Sequence, residues 1–72
     1  MPRTEDLPSA RVLTGLRQRI AAGEWQSGEA LPTVAALAEE YGVSRGAVSR
    51  ALRILAGEGL VRIVPRWGTF RA

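Results

Sequence analysis

Between Leu31 and Leu55 the chain sets two apolar helical stripes on either side of a three-residue break, Gly42-Val43-Ser44, and few folds accept that arrangement. Val34, Leu37, Ala38 and Tyr41 fall at i, i+3, i+4 and i+7, one full stripe of a short helix that opens at Pro32-Thr33. Gly42 supplies a left-handed residue that stops it, and Val43 is expected to pack between the two helices. Ser44 then caps a third helix, about residues 44–57, whose buried face is Val48, Leu52 and Leu55 with Ala51 beside them. This is the spacing of a helix-turn-helix.

What the third helix turns outward is more telling than what it buries. Taking Val48 as zero at 100° per residue, Arg50 lies at roughly 200°, Gly46 at roughly 160°, Arg53 at roughly 140° and Ser49 at roughly 100°. The arginines therefore avoid the core, and Arg45 stands at the very start of the helix. Gly46 and Ala47 fill little space, but small residues let a helix approach base edges closely, and Ala47 can touch a thymine methyl. An exposed cationic helix start suits a DNA major groove.

The flanks complete a mainly α fold with a small β-hairpin. Residues 1–7 show no periodicity and are expected to form a loose arm, with one domain over 8–72. Val12, Leu13, Leu16 and Ile20 recur at helical spacing to about Ala22, and Gly23 closes that first helix. Its outer face, Arg11, Gln18 and Arg19, reads as solvated and near a phosphate. Trp25 lies in a turn and is expected in the core under the first two helices. After Gly57 and Gly59, Leu60–Val64 alternates with β-branched enrichment, Pro65-Arg66-Trp67-Gly68 turns, and Thr69-Phe70-Arg71 returns. Two strands alone are marginal, so this wing, 60–71, must lean on the helices through Leu60 or Val61, Ile63 and Phe70. A short extra strand near Ala30-Leu31 would help it. Three helices and a two-stranded wing make a winged helix-turn-helix.

Charge is distributed to match. Residues 1–43 carry four arginines against six acids, net −2, whereas residues 44–72 carry six arginines against Glu58 alone, net +5. One-sided charge of this kind is the footprint of phosphate contact. Other function classes are poorly served. With no cysteine and no histidine among 72 residues, thiolate and imidazole chemistry is closed, so no cofactor or metal is expected and a reducing cytoplasm is the natural compartment. Glu39 and Glu40 are neighbours that point about 100° apart on a helix, which does not make a catalytic pair. Gly57-Glu58-Gly59 lacks the lysine and preceding strand of a phosphate loop. No enzyme is expected. No apolar run approaches the roughly 20 residues of a membrane span.

Gly23-Glu-Trp, Ser27-Gly-Glu-Ala-Leu-Pro32, Leu37-Ala38, Gly42-Val-Ser-Arg45, Ala51-Leu52, Leu55, Glu58-Gly-Leu-Val61 and Gly68-Thr-Phe70, in that order, resemble the DNA-binding domain of the GntR family of bacterial transcription regulators. The resemblance runs from about Val12 to Phe70. It implies that the start of the second helix touches phosphate through Thr33, that Arg45 is the main base reader in the major groove, and that Gly68 brings the wing close to the minor groove. Two departures stand out. Ala35 and Ala36 replace an arginine and an acid usual in the family, and Gly46 and Ala47 replace hydroxyl residues. The resemblance implies that relatives continue into a dimerising, small-molecule effector domain, and none is expected within these 72 residues.

The resulting expectation is a sequence-specific regulator of double-stranded DNA, a repressor by occupancy. Its contacts would be Thr33, Ser44, Arg45, Gly46, Ala47, Ser49, Arg50, Arg53, Arg66, Trp67 and Gly68, with a homodimer on a two-fold operator. Arg66 is expected in a minor groove. Trp67 has two readings, covering the hairpin's apolar face or lying against sugar and phosphate. The alternative to DNA binding is a winged helix that docks a protein partner through its wing.

Overall fold

In a computed structural model describing residues 7–72, the order is α1 (Pro8–Ala21), α2 (Val34–Tyr41), α3 (Arg45–Gly57), β1 (Val61–Val64) and β2 (Gly68–Arg71). Apart from Leu7, the expected N-terminal arm lies outside the described residues. Pro8 occupies the first position of α1, where its missing N–H costs nothing and its fixed φ favours the helix. Thr33 and Ser44 cap α2 and α3, their hydroxyl oxygens each accepting from the backbone N–H three residues on at 3.1 Å. At the break between them Gly42 adopts φ 65, and the amides of Gly42 and Val43 donate to the carbonyls of Glu39 and Ala38. This double closure satisfies the last carbonyls of α2 and turns the chain sharply into α3. Helices α1 and α3 end with the same pair of bonds.

One core joins the elements. Val12, Leu16 and Ile20 from α1, Leu37 and Ala38 from α2, and Val48, Ala51, Leu52 and Leu55 from α3 are all buried, with Leu31 and Val61 closing the sides. Gly15 shapes this packing. A β-carbon there would meet the Tyr41 hydroxyl at 2.6 Å, so any side chain at position 15 would push the Tyr41 ring from its place against α1.

The wing is antiparallel, pairing Val61 with Arg71, Arg62 with Phe70, Ile63 with Thr69 and Val64 with Gly68. It is not left as two strands. Ala30 bridges Phe70, the Leu31 amide donates to Thr69 O at 2.8 Å, and the Arg71 amide donates to Glu29 O at 2.8 Å. In place of the short strand expected near Ala30-Leu31, the chain makes an isolated bridge beside β2 and no strand. The bridge ties the hairpin to the α1–α2 connection.

Three further expectations need correction. Ile63 is 44% exposed, because the face it shares with buried Val61 and Thr69 runs past the end of the helical core. Trp67 is 80% exposed and does not cover the hairpin. Arg19 is not a free outer cation. Its guanidinium lies 4.8 Å from the centre of the half-buried Trp25 ring, and it donates to Glu24 (2.5 Å), Glu40 (3.4 Å) and the Tyr41 hydroxyl (3.4 Å).

Candidate nucleic-acid interface

The α2–α3 turn decides where the candidate contacts stand. Because Ser44 is spent as a cap, its hydroxyl oxygen faces the α3 amides while its proton remains available to donate outward. Thr33 is in the same situation at the start of α2. Arg45 is the first residue of α3 and is exposed, as are Gly46, Arg50 and Arg53, while Ala47 and Ser49 are half-buried. A β-carbon at Gly46 would find only the Ser44 hydroxyl at 3.8 Å, an ordinary contact. Nothing inside the fold requires glycine there.

The first turns of α3 do not stand alone. Ser44, Gly46, Ala47 and Arg50 share a concavity of about 360 Å³ with Leu7, Pro8 and Ser9 from the start of α1. Sequence reasoning missed these last three residues, since no periodicity in 7–9 signals that α1 begins beside α3. It also missed Arg62, exposed on β1 beside a second groove with Gly28, Val64 and Phe70. The strand alternation and the charge count together could have pointed to it.

At the wing tip, the Trp67 amide donates to Val64 O at 3.0 Å and Arg66 adopts φ 70. With Pro65 at the second position, this is a type II turn whose third residue is normally glycine or asparagine. Arg66, Trp67 and Gly68 are all exposed, so the tip is a cation, an indole and a residue without a side chain. The α3 start and the wing tip come from opposite ends of the 45–68 segment, and only the fold relates them.

Carboxylates are drawn elsewhere. Glu58, at the end of α3, accepts from Arg17 of α1, with Nε to Oε1 at 2.9 Å and a second bond from Nη2 to Oε2. The Arg17 hydrogen bonds and charge hold the Glu58 carboxyl below the usual carboxylate range, and Glu58 in turn raises Arg17. At Arg19, desolvation opposes the charge, but the bonds to Tyr41 and Glu24 and the charges of Glu40 and Glu24 outweigh it and raise its pKa. Among the described residues, by contrast, Arg45, Arg50, Arg53, Arg62 and Arg66 bridge no carboxylate. Arg17 and Arg19 of α1 are held in ion pairs within the fold. The arginines of α3 and Arg62 and Arg66 of the wing are exposed, whereas Arg71 is half-buried and donates to the Leu60 and Ala72 carbonyls.

Three helices with a tight α2–α3 turn, an exposed third helix and a pinned hairpin define a winged helix-turn-helix domain. The family model "Bacterial regulatory proteins, gntR family" matches residues 8–70, and the chain belongs to that family. It is 44% identical over 55 residues to the mannosyl-D-glycerate transport/metabolism system repressor MngR of Escherichia coli, covering 76% of this chain and 23% of that protein. It is 35% identical over 72 residues to the histidine utilization repressor of Klebsiella aerogenes, covering 99% and 30% respectively. The chain thus spans under a third of these relatives' length. Among solved structures, the AraR DNA-binding domain in complex with operator ORE1 superposes with a TM-score of 0.88 at 30% identity, covering 92% of this chain and 80% of that one.

Proposed function

We propose that this domain binds double-stranded DNA sequence-specifically and regulates transcription by occupying an operator, most simply as a repressor in the bacterial cytoplasm. The observation that carries the reading is the cationic start of α3. Arg45 leads the exposed face of α3, whose next residues are too small to hold it off a base edge, while Glu24, Glu40 and Glu58 are paired with arginines of α1. Family membership, repressor relatives and an operator-bound structural neighbour support it. In this reading Arg45 and Arg50 enter the major groove, and Ser49 and Arg53 line its approach. Thr33 and Ser44 donate to phosphate, and the tip Arg66-Trp67-Gly68 meets the minor groove. A single small reader gains specificity from a second copy on a two-fold site, so we propose a homodimer on a palindromic operator.

A salt series of duplex binding tests the reading. With four to six phosphates neutralised, log affinity should fall with log salt at a slope of about −4 to −5, and a flat response would overturn it. Arg45→Ala should remove about 1–3 kcal/mol of discrimination between sites, seen as convergence of affinities for specific and scrambled duplexes. The exposed Trp67 favours a second reading, in which the wing docks a protein. That reading predicts no change in partner binding on Arg45→Ala.

A further inference from the structure

The wing tip combines two features that cost the free protein something. Arg66 holds φ 70, where a residue with a β-carbon is strained and glycine is not, and Trp67 leaves 80% of its surface in water. Neither serves the hydrophobic core, whose members are Val61 from the wing and residues of the helices and α1–α2 connection. The turn nonetheless fixes both residues. Pro65 presets the first corner, the Trp67 amide is tied to Val64 O at 3.0 Å, and Val64 is paired with Gly68 across the strands. The backbone of both residues is therefore preformed, with a cation and an indole at adjacent positions, and only their exposed side chains remain to be ordered on contact.

We propose that Arg66 and Trp67 together sense minor-groove width, so that the wing makes A·T-rich flanks part of the preferred site without hydrogen bonding to any base. This rests on the duplex-binding reading above. The minor groove is about 6 Å wide in ordinary B-DNA, so a flat ring enters it edge-on and packs against the sugar walls. Narrow A·T tracts bring both walls to the ring and concentrate the negative potential that draws in arginine. In a G·C flank the guanine amino group projects from the groove floor, and both gains are lost. Gly68, without a side chain, leaves the sugar walls free to close on the indole.

Three duplexes with one shared core and flanks of A·T, G·C or inosine·C separate the contributions, because inosine·C keeps the major-groove face of G·C but lacks the minor-groove amino group. The 72-residue chain should bind the A·T and inosine·C duplexes at least about fivefold tighter than the G·C duplex, the low end of the effect of one altered base pair. In Trp67→Ala the spread among the three affinities should shrink, and with Arg66→Ala added they should converge, while preference for the core over a scrambled core persists. Equal binding to all flanks by the unsubstituted chain, or a flank preference undiminished in Trp67→Ala, overturns the proposal and leaves duplex recognition standing. Failure to bind any duplex overturns both.

Discussion

Gly46 and Arg66 make opposite trades between stability and contact. At Gly46 the helix gives up propensity, although the fold has room for a β-carbon. Gly46→Ala should therefore stabilise the domain by about 0.5–1 kcal/mol in urea unfolding while weakening duplex binding, because in the proposed complex the added methyl would stand where the base edges approach. A variant more stable and equally tight-binding would show that α3 does not dock closely at this point. At Arg66 the chain keeps a charged side chain in a conformation that favours glycine. Relief of strain in Arg66→Gly is partly offset by the freer unfolded chain, leaving a net gain of up to about 1 kcal/mol. The same variant should lower the salt-dependence slope of binding by about 1, the signature of one lost phosphate-side cation.

Among the elements, α1 is the scaffold against which the reading helix is set. It crosses α2 where Gly15 faces the Tyr41 hydroxyl, and Tyr41 also accepts from Arg19. Gly15→Ala should cost about 1–3 kcal/mol of thermal stability through overpacking, despite the better helix propensity of alanine. Tyr41→Leu in the same chain should recover part of that loss, and a double-mutant cycle reads the coupling directly. Additive effects would place the strain elsewhere. Helix spacing alone revealed α1, α2 and α3 and their buried faces, since each stripe is complete within its own segment. It could not reveal Gly15, because the reason for that glycine stands 26 positions away on another helix.

For the whole molecule, the separation of charge is a tertiary device. Arg17 and Glu58 lie 41 positions apart and join α1 to the end of α3, which engages the one acid of the basic half in an ion pair. Because the folded Glu58 carboxyl titrates below its ordinary range, its stabilising contribution is complete above that range and fades as pH falls through the lowered folded value. Glu58→Gln should therefore lower the urea midpoint at neutral pH and match the unsubstituted chain in acid. A difference that persisted at low pH would mean the carboxylate charge is not the cause. The pair is exposed, so the effect should also shrink with added salt.

From the residues alone the helix-turn-helix, the two-stranded wing and the basic outer face of α3 were legible, because apolar period, capping residues and local charge act within a few positions. Family resemblance reached the same domain from ordered short motifs. Tertiary structure decided which arginines pair with carboxylates among the described residues and how far the wing tip stands from the core. Arg19 looked like a surface cation until the fold brought Glu40, Tyr41 and Trp25 around it. Trp67 looked able to cover its own hairpin until the reach of the helical core fell short of the tip. Helix and turn formation respond to neighbours in sequence, whereas the pairing of charges and the exposure of an aromatic ring depend on which distant segments arrive beside them.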